Sequence, residues 1–127
     1  MGHAVLVKAA MMAALLARPA AAEMFGPDYQ HCGNEPSTLA TVECVTKKTK
    51  SWDQRLNVAY KKLAQRVGPE QQAALKAAES LWIQYRDANC KYYYSREGTI
   101  KQIQTAECLR AMTQDRAMEL EQAQEFP

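Results

Sequence analysis

The sequence has little of what catalysis requires. Its 127 residues include only two histidines, His3 and His31, and no G-x-S-x-G elbow, so histidine-assisted nucleophilic chemistry would rest on His31 alone. The acids are scattered, and no pair of carboxylates is spaced to face one cleft as glycoside hydrolysis demands. No C-x-x-C occurs, and His31 stands alone beside Cys32, so neither a metal nor another cofactor is expected. Repeats, low-complexity stretches and strand-like alternation are also absent. The one apolar run, "AAMMAALLA" at residues 9–17, falls well short of the roughly 20 residues that span a bilayer. These absences leave binding, rather than an enzymatic reaction, as the expected activity.

The short apolar run defines a compartment instead. It follows a basic lead, Met1 to Lys8, and precedes "RPAAAE", in which Ala20 and Ala22 supply the small residues of a cleavage site. That pattern predicts a secretory signal peptide over residues 1–22, a periplasmic or secreted product and one small helical domain over residues 23–127. No cysteine directly follows the run, so no lipid or other stable membrane anchor is expected. The formal charge of +2 resides in Lys8 and Arg18, and the exported part balances 14 acidic residues with as many basic ones. General nucleic-acid binding is thereby disfavoured, because phosphate neutralisation needs a basic excess.

All four cysteines, Cys32, Cys44, Cys90 and Cys108, lie beyond the leader. An even count in a small exported chain reads as two disulfides. Three pairings are possible. Cys32 with Cys44 and Cys90 with Cys108 is preferred, because each closes a short loop across a helix end or turn, whereas the others require distant segments to meet.

The dominant pattern is a 3.6-residue period. Val42, Val45, Thr49, Trp52, Leu56, Ala59 and Leu63 form one stripe, predicting a first long helix over Ser37 to Val67. It stops at "GPE", where Gly68 can take a positive φ and Pro69 suits the next first turn. A second helix carries Leu75, Ala78, Trp82, Tyr85, Asn89 and Tyr92 at the same spacing and runs to about Ser95, with Gly98 and Thr99 supplying its stop and the next cap. A third, Ile100 to Gln124, places Ile103, Leu109, Met112, Arg116, Leu120 and Ala123 on or near one stripe. The expected fold is all-α: an up-down three-helix bundle stapled by disulfides, with a looser Met24 to Pro36 arm pinned by Cys32.

The stretch "LWIQYRDANCKYYYS", Leu81 to Ser95, is the richest in chemistry. Trp82 and Tyr85 fall on the stripe and are expected in the core. Arg86 can pack its stem on the Trp82 indole while its guanidinium seeks a carboxylate or carbonyl. Arg116 poses the same problem on the third helix. A structural polar network is the expectation for both, with an anion-binding pair as the alternative. Tyr93, Tyr94 and Arg96 lie beyond the stripe, at a turn that a Cys90–Cys108 bridge would stiffen. They are the candidate binding residues, since tyrosine and arginine on a preorganised loop suit protein contacts.

Three blocks, "LNVAYKKL" (Leu56 to Leu63), "AESLWIQYRDANC" (Ala78 to Cys90) and "CLRAMTQDRAMEL" (Cys108 to Leu120), resemble the motifs of the lysozyme-inhibitor LprI-like family of small exported bacterial proteins. Asn57, Tyr60, Trp82, Tyr85, Arg86 and Arg116 are among the matching positions and are read as a structural polar and aromatic motif. The resemblance implies a helical domain with disulfides that acts on lysozyme by protein contact. Charge separates this expectation from its rival. Seven basic residues, including Lys47, Lys48 and Lys50, oppose only Glu43 and Asp53 over Leu39 to Val67, so a basic animal lysozyme would avoid the first helix and meet the third helix, the acidic arm or the tyrosine turn. The alternative is an envelope-associated or immunity-type protein whose basic face meets an anionic polymer or another protein.

Overall fold

The computed structural model describes residues 23–126; the expected signal peptide over residues 1–22 lies outside them. The described residues are helical with no strand, in the order α1 (Pro27–Gln30), α2 (Thr38–Gln65), α3 (Pro69–Tyr94) and α4 (Ile100–Ala123). The three long helices are those expected from the period, each within about two residues at its ends. Both disulfides are the preferred ones, Cys32–Cys44 and Cys90–Cys108.

The helix ends follow local chemistry, with two departures. Ser37 is the N-cap of α2, and its Oγ accepts the Ala40 N–H at 3.1 Å, satisfying one of the donors a helix start leaves open. Pro69 opens α3 where a missing N–H costs nothing. Gly68, however, has φ −76° as the extended N-cap of α3; the turn needs no left-handed residue because Arg66 closes α2 by donating its N–H to Leu63 O at 3.1 Å. Among the described residues Gly98 is the glycine at positive φ, +91°. Thr99 occupies the N-cap position of α4 without a side-chain capping bond.

The arm is more ordered than a loose tether. It folds into the single turn of α1, and Asp28 accepts the Trp52 Nε1–H at 2.8 Å, tying the arm to α2. Cys32 is fully buried with Val45 and Ala106, and Tyr29 and Val42 pack around them.

The long helices do not share contacts equally. α4 lies between α2 and α3, which scarcely touch each other. A central helix must bury more than one face, and α4 does so with Ala106, Ala111, Thr113, Ala117 and Leu120, mostly small side chains that let α2 come close. Leu56, Ala59, Ala117 and Leu120 form the main apolar cluster, enclosed by Trp52, Tyr60, Leu63, Leu75 and Trp82. On α3 only Cys90 is fully buried. The face it applies to α4 runs through Leu75, Glu79, Trp82, Arg86, Asn89 and Tyr93, all half-buried. The stripe expected from the sequence is therefore rotated: Tyr85 and Tyr92, placed in the core by spacing alone, are 62% and 63% exposed, because α2 does not close over that side.

Candidate binding surface

The end of α3 is built by main-chain geometry and by the disulfide beneath it. Ser95 caps the helix, its N–H donating to Lys91 O at 3.1 Å and its hydroxyl to Tyr92 O at 2.6 Å. Arg96 N–H donates to Tyr93 O at 3.3 Å, and Gly98 then reverses the chain into α4. Cys90, one turn before Tyr94, is bonded to Cys108 two turns into α4, so the turn is clamped at its base.

The three candidate residues take different surroundings. Tyr94 is 57% exposed, with the Lys101 ammonium 5.1 Å from its ring centre. Arg96 is exposed beside the exposed acid Glu97. Tyr93 is half-buried against α4 and packs edge-to-face with Tyr92 at 5.3 Å. The outward aromatics are thus Tyr92 and Tyr94, on opposite sides of the helix, with Tyr93 beneath them. That difference has the same origin as the rotated stripe.

Arg86 sits 5.1 Å over the Trp82 ring and bonds the carboxylate of its neighbour Asp87, Nε to Oδ1, at 2.9 Å. The partner is a carboxylate, as the sequence suggested, but Asp87 is well exposed. The guanidinium borders a shallow cleft of about 330 Å³ between the three long helices, shared with Lys50, Asp53 and Thr113. Asn57 is exposed and donates to Asp53 at 3.3 Å within α2, whereas Tyr60 packs on the main cluster.

Arg116 is buried and paired with two carboxylates. It reaches Glu79 on α3 and Glu119 on its own helix, with Nη1 2.8 Å from Glu119 Oε2. Burial would lower its pKa, but the hydrogen bonds it donates to Glu119 and Glu79 outweigh that and raise it above the usual arginine value. A guanidinium already held by two carboxylates offers little to an external anion.

The most deeply buried charges were not singled out by sequence reasoning. Glu107 and Arg110, one turn apart on α4, are almost wholly inaccessible and bonded to each other. Glu107 Oε2 also accepts the Phe25 N–H at 2.7 Å, and Arg110 Nη2 donates to Glu23 O at 2.9 Å. Together they fasten the arm, holding Phe25 at φ +61°, a conformation a phenylalanine rarely keeps without such support. The available signal was the excess of small residues on α4, Ala106, Ala111 and Ala117, which marks a helix with a second buried face.

Among the described residues no cluster of three or more histidines, cysteines and acids is arranged to hold a metal, and no helix is long and apolar enough to cross a membrane. Comparison with known families matches residues 30–120 to the one described as lysozyme inhibitor LprI. The chain belongs to the LprI family. The match spans both disulfides, α2, α3, the tyrosine turn and α4 as far as Leu120, and implies a function of the lysozyme-inhibitor type. The family is one of inhibitors rather than of catalysts. The LprI match and the two disulfides together point to an extracytoplasmic protein. No curated protein and no solved structure matches the chain.

Proposed function

We propose that this LprI protein is an exported inhibitor of a host or competitor lysozyme, acting by protein–protein contact through the turn between α3 and α4. The observation that carries the function is the family match over residues 30–120. Support for the surface comes from Tyr94 and Arg96, exposed on a turn clamped by Cys90–Cys108. A tyrosine held this way has little freedom left to lose on binding, so more of its contact energy appears as affinity. Glu97 adds an acid that a basic enzyme can meet. Tyr93 supports the turn from below.

The anionic-polymer reading has weaker support. Lys47 and Lys48 line a cleft with Glu35 and Glu43, which offset the positive potential an anionic chain would need.

Isothermal titration of an animal c-type lysozyme against the oxidised protein locates the interface. Tyr94→Ala should weaken binding by about 1 to 3 kcal/mol with far-UV circular dichroism unchanged. Reversing Lys47, Lys48 and Lys50 to Glu should leave affinity similar or speed association. The opposite pattern, with binding lost on the lysine reversal and kept in Tyr94→Ala, moves the interface to α2.

A further inference from the structure

Because α2 and α3 scarcely touch each other, they leave across α4 the shallow cleft of about 330 Å³ that Arg86 borders. α2 lines it with Thr46, Thr49, Lys50 and Asp53, Arg86 stands on α3, and Thr113 of α4 lies at its base. Its donors are Arg86 and Lys50. The Arg86 side chain is only 21% exposed and is held over the Trp82 ring, yet its Nε and Nη2 both go to one oxygen of the exposed Asp87. That leaves the Nη1–Nη2 edge without an acceptor among the described residues, and the Lys50 ammonium has none either. A guanidinium fixed on an indole with that edge open is already set for a planar carboxylate. The acceptors lie beside them. Asp53 is half-buried and receives the Asn57 amide at 3.3 Å, and among the described residues no ion pair joins it to Lys50 or Arg86. Thr46 and Thr49 donate their hydroxyls to Val42 O and Val45 O of their own helix, at 2.7 and 3.1 Å, so toward a ligand their oxygens only accept.

From this division we infer that the cleft binds a free α-amino acid as its zwitterion, the carboxylate held by Arg86 and Lys50 and the ammonium by Asp53 and the threonine oxygens. Charge selects that class of ligand. Lys50 and Arg86 are balanced by Asp53 and Asp87, so the lining as a whole is neutral and gives a phosphate or a polyanion no net attraction. A ligand that carries both signs on neighbouring atoms meets a complement for each. The volume lies at the small end for ligand sites, which suits an amino-acid centre, and the shallow mouth leaves the ligand's own side chain in water. Recognition therefore rests on the two charged groups, and binding is weak and broad in side chain. The inference does not depend on the lysozyme reading, because Arg86 lies about two helical turns before Tyr94.

Proton–nitrogen correlation spectra of the oxidised, isotope-labelled protein, expressed from the full chain and titrated with alanine, test this. The expected result is saturable shifts confined to the amides around the cleft and to the Arg86 Nε–H. N-acetylalanine lacks the ammonium and alanine methyl ester lacks the carboxylate, and each should bind about tenfold or more weakly than alanine. Arg86→Gln, with spectra unchanged away from the cleft, should weaken alanine binding by a similar factor, and so should Lys50→Met at its exposed position. Asp53→Asn should in addition abolish the preference for alanine over N-acetylalanine, an effect that a merely structural aspartate would not have. No saturable shift at high-millimolar alanine, equal binding of N-acetylalanine to the parent, or parent-like binding in both Arg86→Gln and Lys50→Met would overturn the inference.

Discussion

Arg116 on α4 holds Glu79 on α3 through two nitrogens, Nε at 3.0 Å and Nη2 at 2.9 Å from the same oxygen, Oε2. Both side chains are largely buried, and α3 has no other extensive contact with the rest of the fold than this one seam with α4. The pair therefore secures the helix on which the tyrosine turn is mounted. Glu79→Ala should cost about 1 to 3 kcal/mol by leaving a buried guanidinium short of a partner. A double-mutant cycle with Arg116→Ala, followed by thermal melting, should return a coupling of about 1 kcal/mol or more. Simple additivity of the two losses would show that the contact does not hold α3 in place.

Glu107 and Arg110 should be more costly to break than Arg86. Replacing Glu107 with Ala strands a buried arginine, a loss of about 3 to 5 kcal/mol, and frees the Phe25 N–H, so limited proteolysis should begin to cut within residues 23–36. Arg86→Ala loses an ion pair with the exposed Asp87 and some packing on Trp82, and should cost less than about 1 kcal/mol. Equal losses in urea unfolding would contradict this ordering.

Much of the fold was legible because its causes are local. The period of α2, Ser37 at its start, Pro69 after the turn and the two short cysteine loops each act within a few residues or one turn. What the sequence could not display was how evenly the three helices would share contacts. The spacing of Ala78, Tyr85 and Tyr92 is as regular as that of the buried face, and nothing within α3 says which of its two stripes meets α4. The same ambiguity exchanged the burial expected of Tyr92 and Tyr93 at the turn. Glu107 and Arg110 stayed hidden for a related reason: they are buried by the arm, which shows no helical period over most of its length.

The two stripes of α3 should separate by mutation. Trp82 packs on the main cluster, and Trp82→Ala should cost about 2 kcal/mol or more. Tyr85 is mostly exposed, and Tyr85→Ala should stay within about 0.5 kcal/mol of the parent. Chemical denaturation of both variants distinguishes this arrangement from one in which both rings are core.

Cys90–Cys108 should stabilise both the fold and the turn. Closing a loop with a sequence separation of 18 contributes about 3 kcal/mol in the chain-entropy account. The Cys90→Ser, Cys108→Ser variant should melt lower by a corresponding amount. Where it is still folded, it should bind lysozyme more weakly than the parent, because Tyr94 and Arg96 then lose freedom on binding. Unchanged affinity in a folded double-serine variant would remove preorganisation from the mechanism.

The most direct measurement is the residual activity of an animal c-type lysozyme against bacterial cell walls, titrated with the oxidised protein beside its Tyr94→Ala, Arg96→Ala variant. The expected result is activity that falls toward zero as the protein approaches and passes equimolar enzyme, with the variant needing about tenfold or more protein for the same effect. Full lysozyme activity at about a hundredfold excess of folded, oxidised protein, with no complex detectable by titration, would contradict inhibition by protein contact.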